Sequence, residues 1–250
     1  LAAIERGCRT VTALREHTDE VAAADSKALK IDVNDATRVS GILLHPRQSK
    51  ACFVVAHGAG AGMLHPFMVD LTNDLAALRI ATLRYQFPYM ERNGKRPDSP
   101  ALCHATVRAA VATARKLVPT LPLIAGGKSF GGRMTSQAQA ASPLTEVLGL
   151  AFLGFPLHPP NQPSDLRGEH LLQVQIPMLF LQGARDAFAE AARLMPLVER
   201  LGKRATLLLL PNADHSFHVP ARSGRTDKQI REEMLNALAT WTDTLVQHPS

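Results

Sequence analysis

From residue 27 onward, short apolar runs alternate with stretches of helical periodicity. The runs Ala28–Val33 and Val39–Leu44 switch between polar and apolar positions. Asn34-Asp35 between them is a turn pair, so the two read as an antiparallel hairpin. Six later runs are apolar at consecutive positions: Ala51–Ala56, Ile80–Tyr85, Leu121–Gly126, Val147–Gly154, Met178–Gln182 and Thr206–Leu210. That is the signature of strands covered on both faces. Between them, helical spacing marks Pro66–Leu78, Ala101–Val118, Gly132–Ala141, Glu190–Leu201 and Asp227–Val246, with Pro119 and Gly202 as stops. A hairpin followed by repeated strand–helix units predicts an α/β domain over residues 27–250. Its sheet would be eight-stranded and mostly parallel, with helices on both faces.

Residues 1–26 read as a separate helical extension, because Ile4, Val11, Leu14 and Val21 fall near helical spacing. The segment has no continuous apolar core after a basic start and so does not resemble a secretory signal. Across the 250 residues, 46% are hydrophobic and 20% charged, an ordinary globular balance. No run approaches the ~18 apolar residues of a membrane span. Three cysteines, Cys8, Cys52 and Cys103, have no paired spacing. They argue against a disulfide scaffold or thiolate zinc site and suit a reducing compartment, so a cytoplasmic protein is expected. The net charge of +6 is concentrated between Arg79 and Arg133, where ten basic residues face only Glu91 and Asp98. Aromatics, at 5%, are not interleaved with these bases, which argues against nucleic-acid binding. The expected partner is a small molecule rather than nucleic acid or membrane, and the expected state is monomer or homodimer. No cofactor is implied, and His215 with His218 lacks a third metal ligand nearby.

Ligands of parallel sheets bind at the carboxyl ends of the strands, and three strand ends here carry suggestive residues. His57-Gly58-Ala59-Gly60-Ala61-Gly62 fails the dinucleotide spacing, since the third glycine position is Met63. Gly127-Lys128-Ser129 fails the phosphate-loop spacing, since the leading glycine position is Pro122. The same stretch does fit G-x-S-x-G, as Gly127-Lys128-Ser129-Phe130-Gly131, after an apolar strand and before a helix. That is the context of a nucleophile elbow.

A serine hydroxyl needs a base, and the base needs a carboxylate to fix its tautomer. In the expected order, Asp186 follows the strand Met178–Gln182 and His215 follows Thr206–Leu210. Asp214 is a rival for the acid, less favoured because it adjoins His215. The oxyanion donors would be the amide of Phe130 and that of Ala59, with Gly60 next. Candidate substrate-binding residues are His57, Tyr89, Lys128, Pro156, His158, Arg167 and His170. The short interval Phe155–Pro177 leaves no room for a large lid and favours small, soluble acyl substrates.

The strings HGAGAG (57–62), QFPY (86–89), GGKSFGGRM (126–134), GFPLHPP (154–160), LRGEHL (166–171), QGARDAF (182–188) and ADHSF (213–217) resemble the α/β-hydrolase superfamily. Within it they resemble the dienelactone-hydrolase-like group that includes testis-expressed protein 30 and a subunit of a chromatin-associated acetyltransferase complex. The resemblance implies Ser129, Asp186 and His215 as catalytic triad. Gln86 stands where an acidic residue is expected, and Ser129 where dienelactone hydrolases proper carry cysteine. A serine hydrolase, carboxylesterase-like, that cleaves a carboxylic ester or related acyl bond is therefore expected. The alternative is a catalytically idle hydrolase fold serving as an interaction scaffold.

Overall fold

The computed structural model describes residues 25–247. Eight strands form one sheet in the order β1-β2-β4-β3-β5-β6-β7-β8. They are β1 (Asp25–Asn34), β2 (Thr37–His45), β3 (Ala51–Ala56), β4 (Ile80–Tyr85), β5 (Leu123–Lys128), β6 (Val147–Leu153), β7 (Met178–Gly183) and β8 (Ala205–Leu210). β2 runs antiparallel to β1 and β4, and every other neighbouring pair is parallel. The helices are α1 (Pro66–Ala77), the single turn α2 (Pro88–Glu91), α3 (Pro100–Leu117), α4 (Phe130–Ala141), α5 (Ala191–Leu201) and α6 (Asp227–Gln247). The expected extension over 1–26 lies outside the described residues except for Asp25 and Ser26, which open β1.

Consecutive apolar residues feed both faces, because side chains alternate along a strand. In β3, Cys52, Val54 and Ala56 join one core layer while Phe53 and Val55 join the other. β7 repeats this with Met178 and Phe180 against Leu179 and Leu181. Helices α3, α4 and α5 cover the first layer, and α1 and α6 the second. Both layers are closed, so the sheet offers ligands its strand ends and not its faces.

Three boundaries differ from the sequence reading, two of them where the site is built. The hairpin turns at Asp35-Ala36 rather than Asn34-Asp35, and the Asn34 side chain accepts a hydrogen bond from the Ala36 amide at 3.0 Å. More consequentially, β5 continues to Lys128 and α4 begins at Phe130, where the sequence suggests Gly126 and Gly132. Gly126, Gly127 and Lys128 pair with Ala151, Phe152 and Leu153 of β6. The connection from strand to helix is thus Ser129 alone. The interval between β6 and β7 holds only the short turn Glu169–Gln173 and no lid domain.

Candidate active site

Chain order reverses direction across the sheet between β4-β3 and β3-β5, and the loops leaving β3 and β5 diverge there. Ser129 stands at this point with φ 49° and ψ −115°, a conformation that costs a non-glycine residue strain. The neighbouring glycines are required by space. A side chain at Gly127 would meet the Ala56 carbonyl oxygen at 2.3 Å, and one at Gly131 the His57 carbonyl oxygen at 2.5 Å. The elbow is therefore wedged against β3 and cannot relax away from its strained φ.

The Ser129 hydroxyl lies 2.8 Å from His215 Nε2, and His215 Nδ1 lies 2.7 Å from Asp186 Oδ2. Asp186 is buried, and its second partners hold it in place. The Gln182 amide donates to Oδ2 at 2.6 Å and the Phe188 backbone N–H to Oδ1 at 2.8 Å. The Phe188 ring lies against the imidazole, with centroids 4.3 Å apart. Burial holds the His215 imidazole below its ordinary pKa, Lys128 adds to this, and Asp186 opposes it. The ring is consequently neutral near pH 7 and able to accept a proton. Asp214 is occupied elsewhere: its Oδ1 accepts from the Ser216 and His218 amides at 2.8 and 3.0 Å, capping its own loop.

Ala59 and Phe130 border the same cleft as Ser129. The Gly60 N–H points at the Tyr89 hydroxyl, 3.4 Å away. The cleft has two halves meeting at Ser129. One, about 410 Å³, is bordered by His65, Phe67, Met68, Lys128, Phe188, His215 and Ser216. The other, about 320 Å³, is bordered by Pro97, Asp98, Pro100, Phe130, Arg133, Met134, Pro156 and Arg167.

Of the candidate substrate-binding residues, Lys128, Pro156 and Arg167 line the cleft. The other four stand behind it. His57 is fully buried: its Nδ1 bonds the Gly58 carbonyl at 2.8 Å and its Nε2 accepts from the Phe87 amide at 3.0 Å. Burial pushes its pKa down to about 4. Tyr89 is buried against Phe130. His158, also buried, joins the Pro159 carbonyl to the Glu190 carboxylate at 2.8 and 2.6 Å. His170 bonds Ser136 at 2.7 Å. A histidine next to a functional loop is as readily consumed in bracing it as in lining it. Gln86, the departure noted above, accepts from the Met63 amide at 2.8 Å and so holds the turn after β3.

Gln182 and Phe188 escaped the sequence reading. Gln182 is a polar residue at the end of an otherwise apolar buried strand, and that mismatch is the signal that could have marked it. Among the described residues, no cluster of His, Cys, Asp and Glu suits a metal ion, and no helix is long and apolar enough to cross a membrane.

Solved structures share this architecture. The chain is similar to a dienelactone hydrolase from Anabaena variabilis, with 19% identity over 90% of this chain and 99% of that one and a TM-score of 0.67. It is similar to a Xanthomonas campestris protein described as an α/β serine hydrolase without lid, with 21% identity over 87% and 95% of the chains and a TM-score of 0.68. A cold-adapted esterase from an Arctic intertidal metagenomic library matches with 19% identity over 90% and 94% and a TM-score of 0.61. In sequence, the alpha/beta hydrolase domain matches residues 49–243, a span that contains the elbow and both of its partners. With strand order, elbow and sequence match in agreement, the chain belongs to the α/β hydrolase domain family.

Proposed function

We propose that the protein is a serine hydrolase that cleaves a carboxylic ester of a small soluble substrate through an acyl-enzyme. Ser129 Oγ attacks the ester carbonyl as its proton passes to His215 Nε2, and Asp186 stabilises the imidazolium that forms. The amides of Phe130 and Ala59 receive the negative charge developing on the carbonyl oxygen. Collapse of the tetrahedral intermediate breaks the bond to the alcohol oxygen, which leaves with the proton from His215. Water activated by the same imidazole then attacks the acyl carbon, releasing the acid and restoring Ser129.

The observation that carries this reading is the unbroken chain from Ser129 Oγ through His215 to Asp186, at 2.8 and 2.7 Å, on a strained elbow. An idle scaffold has no need of that strain. The short interval between β6 and β7 favours small acyl groups over long-chain lipids. The free thiols Cys52 and Cys103 suit a reducing compartment such as the cytoplasm.

Steady-state turnover of a series of 4-nitrophenyl esters tests the reading. Acetate and butyrate are expected to exceed laurate in kcat/KM, and Ser129→Ala is expected to abolish turnover of all three. Faster laurate cleavage contradicts the small-substrate reading, and turnover surviving in Ser129→Ala contradicts the role of Ser129.

A further inference from the structure

The two halves of the cleft are chemically unequal, and His215 decides what each receives. His215 borders only the half that contains Phe67 and Met68. Because the imidazolium hands its proton to the departing oxygen, the alcohol portion of an ester lies on that side. The acyl portion is thereby directed into the other half, about 320 Å³, beside Phe130.

Two guanidinium groups face that acyl half. Arg133 projects from the first turn of α4 and Arg167 from the loop between β6 and β7. Among the described residues, neither makes an ion pair, and the Arg133 Nε is buried without an acceptor. The carboxylate on the same wall, Asp98, is already engaged: Arg92 donates to Oδ1 and the Tyr89 amide to Oδ2, each at 2.6 Å. His170 and His104 lie near Arg133 and offer no countercharge. Burial pushes His170 down to about 4, with Arg133 and His104 adding to the effect. Two unpaired guanidinium groups sharing a small cavity repel each other, a costly arrangement that a planar carboxylate between them reverses.

Resting on the hydrolase reading above, we propose that Arg133 and Arg167 form an anion-binding acyl subsite. The preferred substrates are then half-esters of short dicarboxylic acids, such as glutaric or adipic acid. The Ser129 Oγ–acyl bond forms first, collapse of the tetrahedral intermediate then breaks the bond to the alcohol oxygen, which leaves with the proton from His215, and water cleaves the Oγ–acyl bond to release the free dicarboxylate.

The test compares kcat/KM for 4-nitrophenyl adipate, with its free distal carboxylate, and for the methyl-capped 4-nitrophenyl methyl adipate. The wild-type protein is expected to favour the free acid by about tenfold or more. That ratio is expected to fall about tenfold, mainly through KM, in Arg133→Met and in Arg167→Met. A perturbed elbow would slow both esters and leave the ratio intact. A wild-type ratio at or below one, or a ratio unchanged in both variants, overturns the proposal. Calorimetric titration of Ser129→Ala separates this failure from failure of the hydrolase reading, because it needs no turnover. Binding of monomethyl adipate but not dimethyl adipate upholds the anion site, and equal or absent binding overturns it.

Discussion

The Lys128 ammonium donates a hydrogen bond to the backbone carbonyl of His215, tying the residue before the elbow serine to the histidine that faces it. The same ammonium lies 4.9 Å from the Phe217 ring centroid and 5.9 Å from that of Phe67, so it holds the His215 loop at two points, the His215 carbonyl and the Phe217 ring. Burial pushes the Lys128 pKa down to about 8, against the pull of Asp186 and Asp214. Below that pH the group is charged and a strong donor, and above it the neutral amine holds the loop less well. Lys128→Met is expected to lower kcat/KM about tenfold to a hundredfold. The wild-type pH profile should show an alkaline limb near 8 that the variant lacks.

Gln182 holds the second lone pair of the Asp186 oxygen that faces His215. Without that amide the carboxylate stabilises the imidazolium more strongly, so the His215 pKa rises. Gln182→Leu should therefore move the acid limb of kcat/KM to higher pH. It also strips the Phe155 amide of its acceptor, at a cost of about 1–3 kcal/mol in thermal or chemical unfolding.

Gly131→Ala forces a methyl group to within 2.5 Å of the His57 carbonyl and 2.6 Å of the Ala56 carbonyl. Both are backbone atoms of a central strand and its loop and cannot step aside. A loss of about 1–3 kcal/mol is expected in denaturant unfolding, together with loss of turnover as Ser129 shifts.

His57 and His170 are both pushed down to about 4 by burial, against about 6.5 in the unfolded chain. Between those values the unfolded state binds protons that the native state does not, so stability falls as pH is lowered from 6.5 to 4. The melting temperature should drop across that window, and the slope should be shallower in His170→Gln.

Much of the fold was legible because buried parallel strands must be apolar on both faces, and runs such as Ala51–Ala56 and Met178–Gln182 have no other use for that pattern. The elbow was legible for a related reason, since only glycine fits where Gly127 and Gly131 touch β3. What escaped were residues whose role is set by long-range packing. Gln182 reads as a strand terminus until Asp186 is seen to depend on it. His57 and His158 read as pocket residues until burial turns them into braces. The extent of β5 escaped because Gly126 and Gly127 look like the start of a loop, whereas they are glycine so that the strand can lie close to its neighbours.

The central claim is that Ser129, His215 and Asp186 act as one catalytic unit, and covalent labelling by a fluorophosphonate tests it most directly. Such a reagent phosphonylates a serine whose base and oxyanion donors are assembled. One adduct per chain is expected by intact mass, mapped to the peptide containing Ser129. It should be absent in Ser129→Ala and slowed at least about a hundredfold in His215→Ala. Folded wild-type protein that takes up no label, or label that persists in Ser129→Ala, would contradict the account.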